Sequence, residues 1–316
     1  MGENKMIGIL GEALIDFISG TGVDGKECYY PYSGGCALNA ATAASRLGSK
    51  VLYIGKLSHD MFGRRMQSHF IENKVRLKEW LCSVEENSMI GFAKLDPTGA
   101  ASYVFYSLGT TPTVLTKEEI ISVLKEEPEV DFLHIGSVAL ALDLSGEQIR
   151  KALLQLPARP FLFLDPNVRP TVIADFETYR RRLLEVASLS QLIKLSNEDL
   201  ELMFPHASEQ EGVQALLNAG AAHVVLTRGK DGLTWFAASG FSCHVDAIDV
   251  KVVDTVGAGD TVSGALLTFL EEHSLHDPSA ITAELAEKAL EFASSAAAVT
   301  CSRKGCDPPW RLDIKL

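Results

Sequence analysis

Between residues 130 and 229 the chain repeats one pattern: a short, almost wholly apolar run, a turn of small or polar residues, then about a dozen residues at helical spacing. The runs are VDFLHIGS, PFLFLDPN, QLIKLS and HVVLTRG, and the intervening spacing predicts helices near 145–155, 175–188 and 208–219. A strand that is apolar on both faces has to be covered on both faces. The pattern therefore predicts an α/β fold, a doubly wound and mostly parallel sheet flanked by helices, and 316 residues suit one such domain. Ligands of such sheets bind beyond the carboxyl ends of the strands, so the polar residues that follow each run are the first candidates for a site.

The amino-terminal third is different. MIGILGEALIDFIS reads as a first core strand, broken by Gly11 and entering a loop at Asp16. ALNAATAASRLG reads as a helix stopped by Gly48, and KVLYIG as the next strand. SMIGFAKLDPTGAASYVFYS holds two β-rich runs around Asp96, Pro97, Thr98 and Gly99, a turn composition. With the aromatic, Gly-rich stretch from Asp16 to Tyr32 it predicts a small sheet, a lid formed by about 16–33 and 88–111 within a single domain of 1–316.

Composition excludes several functions. The formal net charge is −12 and no basic stripe occurs, so neither nucleic acid nor an anionic membrane surface is an expected partner. No stretch reaches the roughly 18–20 apolar residues of a membrane span. Six cysteines (Cys28, Cys36, Cys82, Cys243, Cys301 and Cys306) include no C-x-x-C pair. That usage fits reduced thiols and a cytoplasmic location.

The segment VDTVGAGDTVSGALL, residues 253–267, carries the chemistry. Val262, Ala265, Leu266, Phe269 and Leu270 fall at helical spacing, which puts Asp260 in or beside a first turn that Gly257, Ala258 and Gly259 open. Glycines let backbone approach an anion, and first-turn amides with the helix dipole present positive potential to it. A carboxylate there is either a helix cap or a base for a hydroxyl that attacks a phosphoryl group. A cap does not explain the glycines. There is no GxxxxGK[ST] loop, and GILGEA lacks the GxGxxG spacing of a dinucleotide site.

DTVGAGDTVSGAL closely resembles the second signature of the ribokinase-like (PfkB) carbohydrate kinases. SGGCALNAATAASRLGSKVLYIGKLSHDMFG resembles the first, with Gly34, Gly35 and Asn39 followed by Gly55, Asp60 and Gly63. The likeness extends through GEALID, HIGS at 134–137, DPNVR at 165–169, KLSNED at 194–199 and TRGKDG at 227–232, and is nearest to the fructokinase and 2-keto-3-deoxygluconate kinase branch.

The resemblance implies an ATP-dependent kinase that phosphorylates a primary hydroxyl of a small sugar with the help of Mg2+. Asp260 would be the general base, with Gly257, Ala258 and Gly259 forming the anion hole. Asp16, Gly34, Gly35 and Asn39 would hold sugar hydroxyls, Arg169 would stand by the substrate or its phosphates, and Tyr103 and Tyr106 in the lid would pack on a sugar face. Lys194, Ser196, Thr227, Gly229 and Gly232 would serve the nucleotide. Asp199 aligns with an acidic residue that organises Mg2+, mostly through water, with Glu198 or Glu201 as alternatives. Asp254, with Thr255, would contribute to a K+ site of the kind some members carry.

Three positions depart from the family pattern: Ser58 in place of a glycine, Ser107 where fructokinases often have arginine, and Cys36 in the sugar-facing loop. They leave the catalytic residues intact but bear on the sugar: HIGS leans towards fructokinase and fructose is the expected substrate, with 2-keto-3-deoxygluconate, ribose and a nucleoside as alternatives. A sugar or nucleotide sensor without catalysis is the reading from another class, and the lid sheet predicts a homodimer.

Overall fold

The computed structural model describes residues 5–83, 85–95 and 101–314; the side chains of residues 83, 95 and 101–103 lie outside that description. The strands are β1 (Met6–Leu10), β2 (Leu14–Thr21), β3 (Glu27–Gly34), β4 (Val51–Ile54), β5 (Leu57–Ser58), β6 (Cys82–Ser83), β7 (Met89–Leu95), β8 (Ala101–Tyr106), β9 (Val130–Gly136), β10 (Phe161–Asp165), β11 (Leu192–Ser196), β12 (His223–Thr227), β13 (Leu233–Ala237) and β14 (Ser242–Val245). The helices are α1 (Cys36–Leu47), α2 (Met61–Glu72), α3 (Lys117–Glu126), α4 (Ser137–Ala141), α5 (Asp143–Gln155), α6 (Phe176–Ala187), α7 (Asn197–Met203), α8 (Glu209–Ala219), α9 (Ala258–Glu272) and α10 (Ala283–Cys301).

Among the described residues the main sheet runs β14-β13-β12-β11-β10-β9-β1-β4. Its pairs from β4 through β12 are parallel, and β13 and β14 extend it antiparallel. Alternate residues feed two cores. Ile7, Ile9, Phe132, Phe161, Phe163 and Leu192 pack with α1, α9 and α10. Met6, Leu10, Leu133, Ile135, Leu162, Leu164, Ile193 and Leu195 pack with α3, α5, α6 and α8. Helix starts are encoded locally: Thr116 with Glu119 and Ser208 with Glu211 make reciprocal capping boxes at α3 and α8.

The same alternation aims three polar side chains. His134 has the parity of Phe132, Asp165 that of Phe161 and Phe163, and Lys194 that of Leu192, so all three project toward the layer of α1 and α9. Those two helices cross closely because their contact is made of small residues. A Cβ on Gly264 would come within 2.7 Å of the Ala43 methyl and 2.9 Å of the Ala40 carbonyl oxygen. The close crossing brings the helix starts, Cys36 to Asn39 and Gly257 to Asp260, over the same strand ends.

A second sheet has the order β3-β2-β7-β8, with β2 antiparallel to β3 and parallel to β7. The run MIGILGEALIDFIS is therefore two strands in two sheets rather than one strand and a loop. The chain bends at Gly11, where a Cβ would come within 2.7 Å of the Ala37 methyl, and re-enters extended structure at Leu14. Asp16 lies within β2, which corrects its expected place in a loop. The turn expected at 96–99 lies outside the described residues, but its flanks β7 and β8 pair antiparallel.

Candidate active site

Gly257 precedes α9 with φ 77°, the left-handed region that favours glycine, and a Cβ there would run into the Cys306 thiol. Ala258 N–H donates back to the Thr255 carbonyl at 3.2 Å, while the amides of Gly259 and Asp260 have no acceptor four residues back within the helix. Asp260 is 8% exposed. Asn39 Nδ2 donates to its Oδ2 at 2.8 Å, and Asn167 Nδ2 to its Oδ1 at 3.3 Å. Burial raises the Asp260 pKa, the Asp165 carboxylate adds to the effect, and Lys194 and Asn39 oppose it.

Beneath Asp260 lies a buried ionic layer. Lys194 Nζ meets Asp165 Oδ2 at 3.0 Å, and Ser263 Oγ donates to the same oxygen at 2.7 Å. Burial works against the Lys194 charge, but the carboxylates of Asp165 and Asp260 outweigh it and the pKa stands above its ordinary value. A Cβ on Gly259 would lie 3.1 Å from Lys194 Nζ, so this cation reaches the floor of the α9 turn. Cys36 Sγ is 3.9 Å from Asp165 Oδ2. Burial pushes the thiol pKa well up and holds that of His134 down at about 4.

On the sheet side, Asp16 fits where glycines leave room for it. Its Oδ2 lies 2.5 Å from where a Gly34 Cβ would be, and its Oδ1 2.9 Å from where a Gly91 Cβ would be. Burial lifts its pKa to about 6; Arg169 pulls it down and Asp260 pushes it up, so electrostatic effects tie the three together. Gly35, at φ 98°, caps α1 without a side chain and packs on the Glu12 carbonyl. The fully buried Glu12 carboxylate accepts from Cys36 N–H at 3.2 Å and Ala139 N–H at 2.9 Å, bracing the starts of α1 and α4. Burial lifts its pKa to about 7 despite those donors.

Strand register separates the two expected aromatic contacts. Asp16 pairs with Gly91 and Gly91 with Phe105, so Phe105 shares the face of Asp16; Ala93 pairs with Tyr103, which falls on that face too. The side chain of Tyr103 is outside the described residues. Tyr106 pairs with Ile90 and belongs to the opposite face, edge-on to Phe92 at 6.1 Å and 60% exposed. Tyr106 therefore does not share the face of Asp16, as the expectation of a common sugar contact required: residues 103 and 106 are an odd number apart, and a strand sends them to opposite sides.

The nucleotide candidates follow the ends of β11 and β12, where Ser196 pairs with Thr227 in register. Ser196 caps α7 in a reciprocal box with Asp199. Asp199 is buried, and both its oxygens accept backbone N–H groups: Val168 at 2.7 Å and Ser196 at 3.1 Å. It thus braces the loop after β10 against β11. Gly229 (φ 54°) and Gly232 (φ 86°) shape the turn after β12, and a Cβ on Gly232 would strike the Val245 carbonyl. Asp254 accepts from Val256 N–H at 3.0 Å and Gly305 N–H at 2.9 Å, tying the approach to α9 to the carboxyl-terminal loop.

The residues brought into direct contact are thus Asp260, Asn39, Lys194 and three not singled out in the sequence: Asn167, Asp165 and Ser263. Asn167 carried a signal, since DPNVR places an asparagine just past a strand end. It adopts φ 40°, a left-handed conformation that asparagine tolerates and that aims its amide at Asp260.

Comparison with known proteins completes the picture. The pattern of the pfkB family carbohydrate kinases matches residues 4–312. The chain belongs to the pfkB family. A fructokinase of Rhizobium leguminosarum bv. trifolii is 32% identical over 275 residues, covering 85% of this chain and 81% of the relative. Fructokinase-1 of rice is 27% identical, with 100% of this chain and 97% of the relative covered. Among solved structures, a fructokinase from Xylella fastidiosa with bound ATP superposes with a TM-score of 0.84 at 23% identity, over 99% of this chain and 95% of the other. A fructokinase from Vibrio cholerae O395 holding fructose, ADP and a calcium ion gives 0.82 at 24%, over 96% and 95%. As a pfkB kinase the chain is a carbohydrate kinase, and its two-sheet architecture is that of its structural neighbours. Among the described residues of this pfkB kinase, no helix is long and apolar enough to cross a membrane.

Proposed function

We propose that this chain is a fructokinase, transferring the γ-phosphoryl group of ATP to a primary hydroxyl of fructose. The observation that carries the reaction is the Asp260 carboxylate, fixed by Asn39 and Asn167 at the open, glycine-led start of α9. The sugar rests on the names of the relatives and on the Vibrio structure with fructose and ADP. The hydroxyl proton passes to Asp260 as the hydroxyl oxygen bonds to the γ-phosphorus, and the bond to the β-phosphate oxygen breaks to release ADP. The amides of Gly259 and Asp260, with Lys194 beneath, face the charge that develops.

Asp16, Gly34 and Gly35 hold sugar hydroxyls in this reading, Arg169 neutralises charge beside Asp16, and the small sheet closes as a lid with Phe105 on its inner face. Thr227, Gly229 and Gly232 cup the nucleotide. Magnesium bound with ATP would supply charge neutralisation at its phosphates. The donor set fits it only through water near Asp199, whose two oxygens already accept backbone donors. Asp254, which accepts from Val256 and Gly305 N–H groups, and Thr255 would contribute to a K+ site. The outer lid face, with Tyr29, Val104 and Tyr106 exposed, supports homodimerisation.

The test is ADP release with Mg–ATP across fructose, 2-keto-3-deoxygluconate, ribose and a nucleoside, with Asp260→Asn alongside. Fructose preference and a collapse of turnover in the variant are expected. Preference for another sugar overturns the substrate, and unchanged turnover in Asp260→Asn overturns the mechanism.

A further inference from the structure

The buried layer under Asp260 holds more ligating chemistry than phosphoryl transfer uses. One ligand atom each from Cys36, His134 and Asp165 lies within 4.8 Å of the other two, and the three side chains are 4%, 1% and 0% exposed. Both ring nitrogens of His134 and the Oδ1 of Asp165 are buried with no hydrogen-bond partner among the described residues. Buried polar atoms are nearly always satisfied, so unpartnered atoms on two members of one such cluster point to a missing ligand. The charge balance agrees: the carboxylates of Asp165 and Asp260 face a single buried ammonium, that of Lys194.

We propose that Cys36, His134 and Asp165 form a binding site for a divalent transition-metal ion of the zinc class. Sulfur, imidazole nitrogen and one carboxylate oxygen are the donor set that zinc and cobalt take, whereas magnesium and calcium require oxygen. Ligand atoms around such an ion stand roughly 3.3–3.8 Å apart, so a cluster within 4.8 Å contracts by at most about 1–1.5 Å on binding. Asp165 binds through Oδ1, because Oδ2 already accepts from Lys194 and Ser263. The Cys36 S–H bond breaks, its proton leaves to solvent, and the sulfur electron pair goes to the metal. No redox change occurs, and a water takes the fourth position. The net result adds one positive charge beside the carboxylates of Asp165 and Asp260. The site does not depend on which sugar is phosphorylated.

The full chain, reduced and free of nucleotide, is titrated with Co2+ and followed by absorption. A thiolate-to-cobalt charge-transfer band is expected that saturates at one metal per chain, yields to Zn2+ and ignores excess Mg2+. Cys36→Ala removes the band, and His134→Gln weakens cobalt binding at least tenfold, with circular dichroism confirming the fold. Should Cys36→Ala fail to fold, Cys36→Ser serves, since a hydroxyl gives no thiolate band. Absence of a saturating band in the parent chain overturns the proposal. So does an undiminished band in the folded Cys36 variant, which would place the metal at another cysteine.

Discussion

Asn39 and Asp260, 221 positions apart, meet at 2.8 Å where the starts of α1 and α9 converge. Each of the two family signatures contributes one partner, and the small-residue crossing of the helices sets their separation. Asn39 is one of the groups that hold the Asp260 pKa down against burial and the Asp165 charge. Replacing it with alanine removes that restraint, so the pKa rises further and the base is protonated at a higher pH. A hydrogen bond to a charged group contributes about 1.5–3 kcal/mol, which corresponds to a loss of turnover of roughly ten- to a hundredfold. The acidic limb of the kcat/KM profile in Asn39→Ala should move to higher pH. A profile that only drops, with its limb in place, would assign Asn39 to sugar binding alone.

Glu12 makes a separate prediction through stability. Its folded pKa of about 7 stands above the ordinary 4.5, so the folded chain holds this proton more tightly than the unfolded chain does. Stability is then greatest at or below about pH 4.5 for this group and falls as pH rises toward 7, by about 3 kcal/mol at roughly 1.4 kcal/mol for each pH unit. Glu12→Gln has no such proton. It should be less stable than the parent at pH 5, because one of the two N–H donors then meets an amide NH2, and the gap should shrink or reverse by pH 8. Urea unfolding at several pH values measures it; parallel pH dependence in the two proteins would refute the assignment.

What was legible in the sequence was what depends on composition over a short window. The strands from 130 to 227 are apolar on both faces, and each start of α3, α7, α8 and α9 carries its own cap or glycine turn. What was not legible depends on direction. His134, Asp165 and Lys194 sit on three different strands, and only strand order and parity reveal that they share one face. Asp16 read as a loop residue because Gly11 breaks the apolar run after β1, but the break is a crossing between two sheets. Its place in KLSNED assigns Asp199 to Mg2+, and only the structure reveals that its two oxygens also accept the backbone N–H groups of Ser196 and Val168.

The Gly257 turn rests on Cys306, and this contact predicts a rescue. Gly257→Ala introduces a left-handed alanine, at about 1–2 kcal/mol, and drives its methyl into the thiol. In a Cys306→Ala background the second component disappears and the first remains. The single Gly257 variant should lose most of its turnover, and the double variant should recover part of it, a non-additive pair in thermal melts and in kcat. Strictly additive effects would mean that the thiol does not bound the turn.

The parity of β8 sorts its aromatics in a way that activity can read. Phe105 shares a face with Asp16, and a Cβ on Gly91 would lie 2.8 Å from its ring, so the ring packs over the strand position beside the Asp16 carboxylate. Tyr106 meets Phe92 edge-on on the other face, where Phe92 also meets Tyr29. Phe105→Ala should therefore raise the sugar KM about tenfold, the scale of one lost apolar contact surface of roughly 1–3 kcal/mol. Tyr106→Ser should leave KM within about twofold, because its ring is on the far side of the sheet, and should act instead on self-association, measured by sedimentation. A large KM effect at Tyr106 with none at Phe105 would mean that the sugar binds the other face of the sheet, and would remove Asp16 from the site with it.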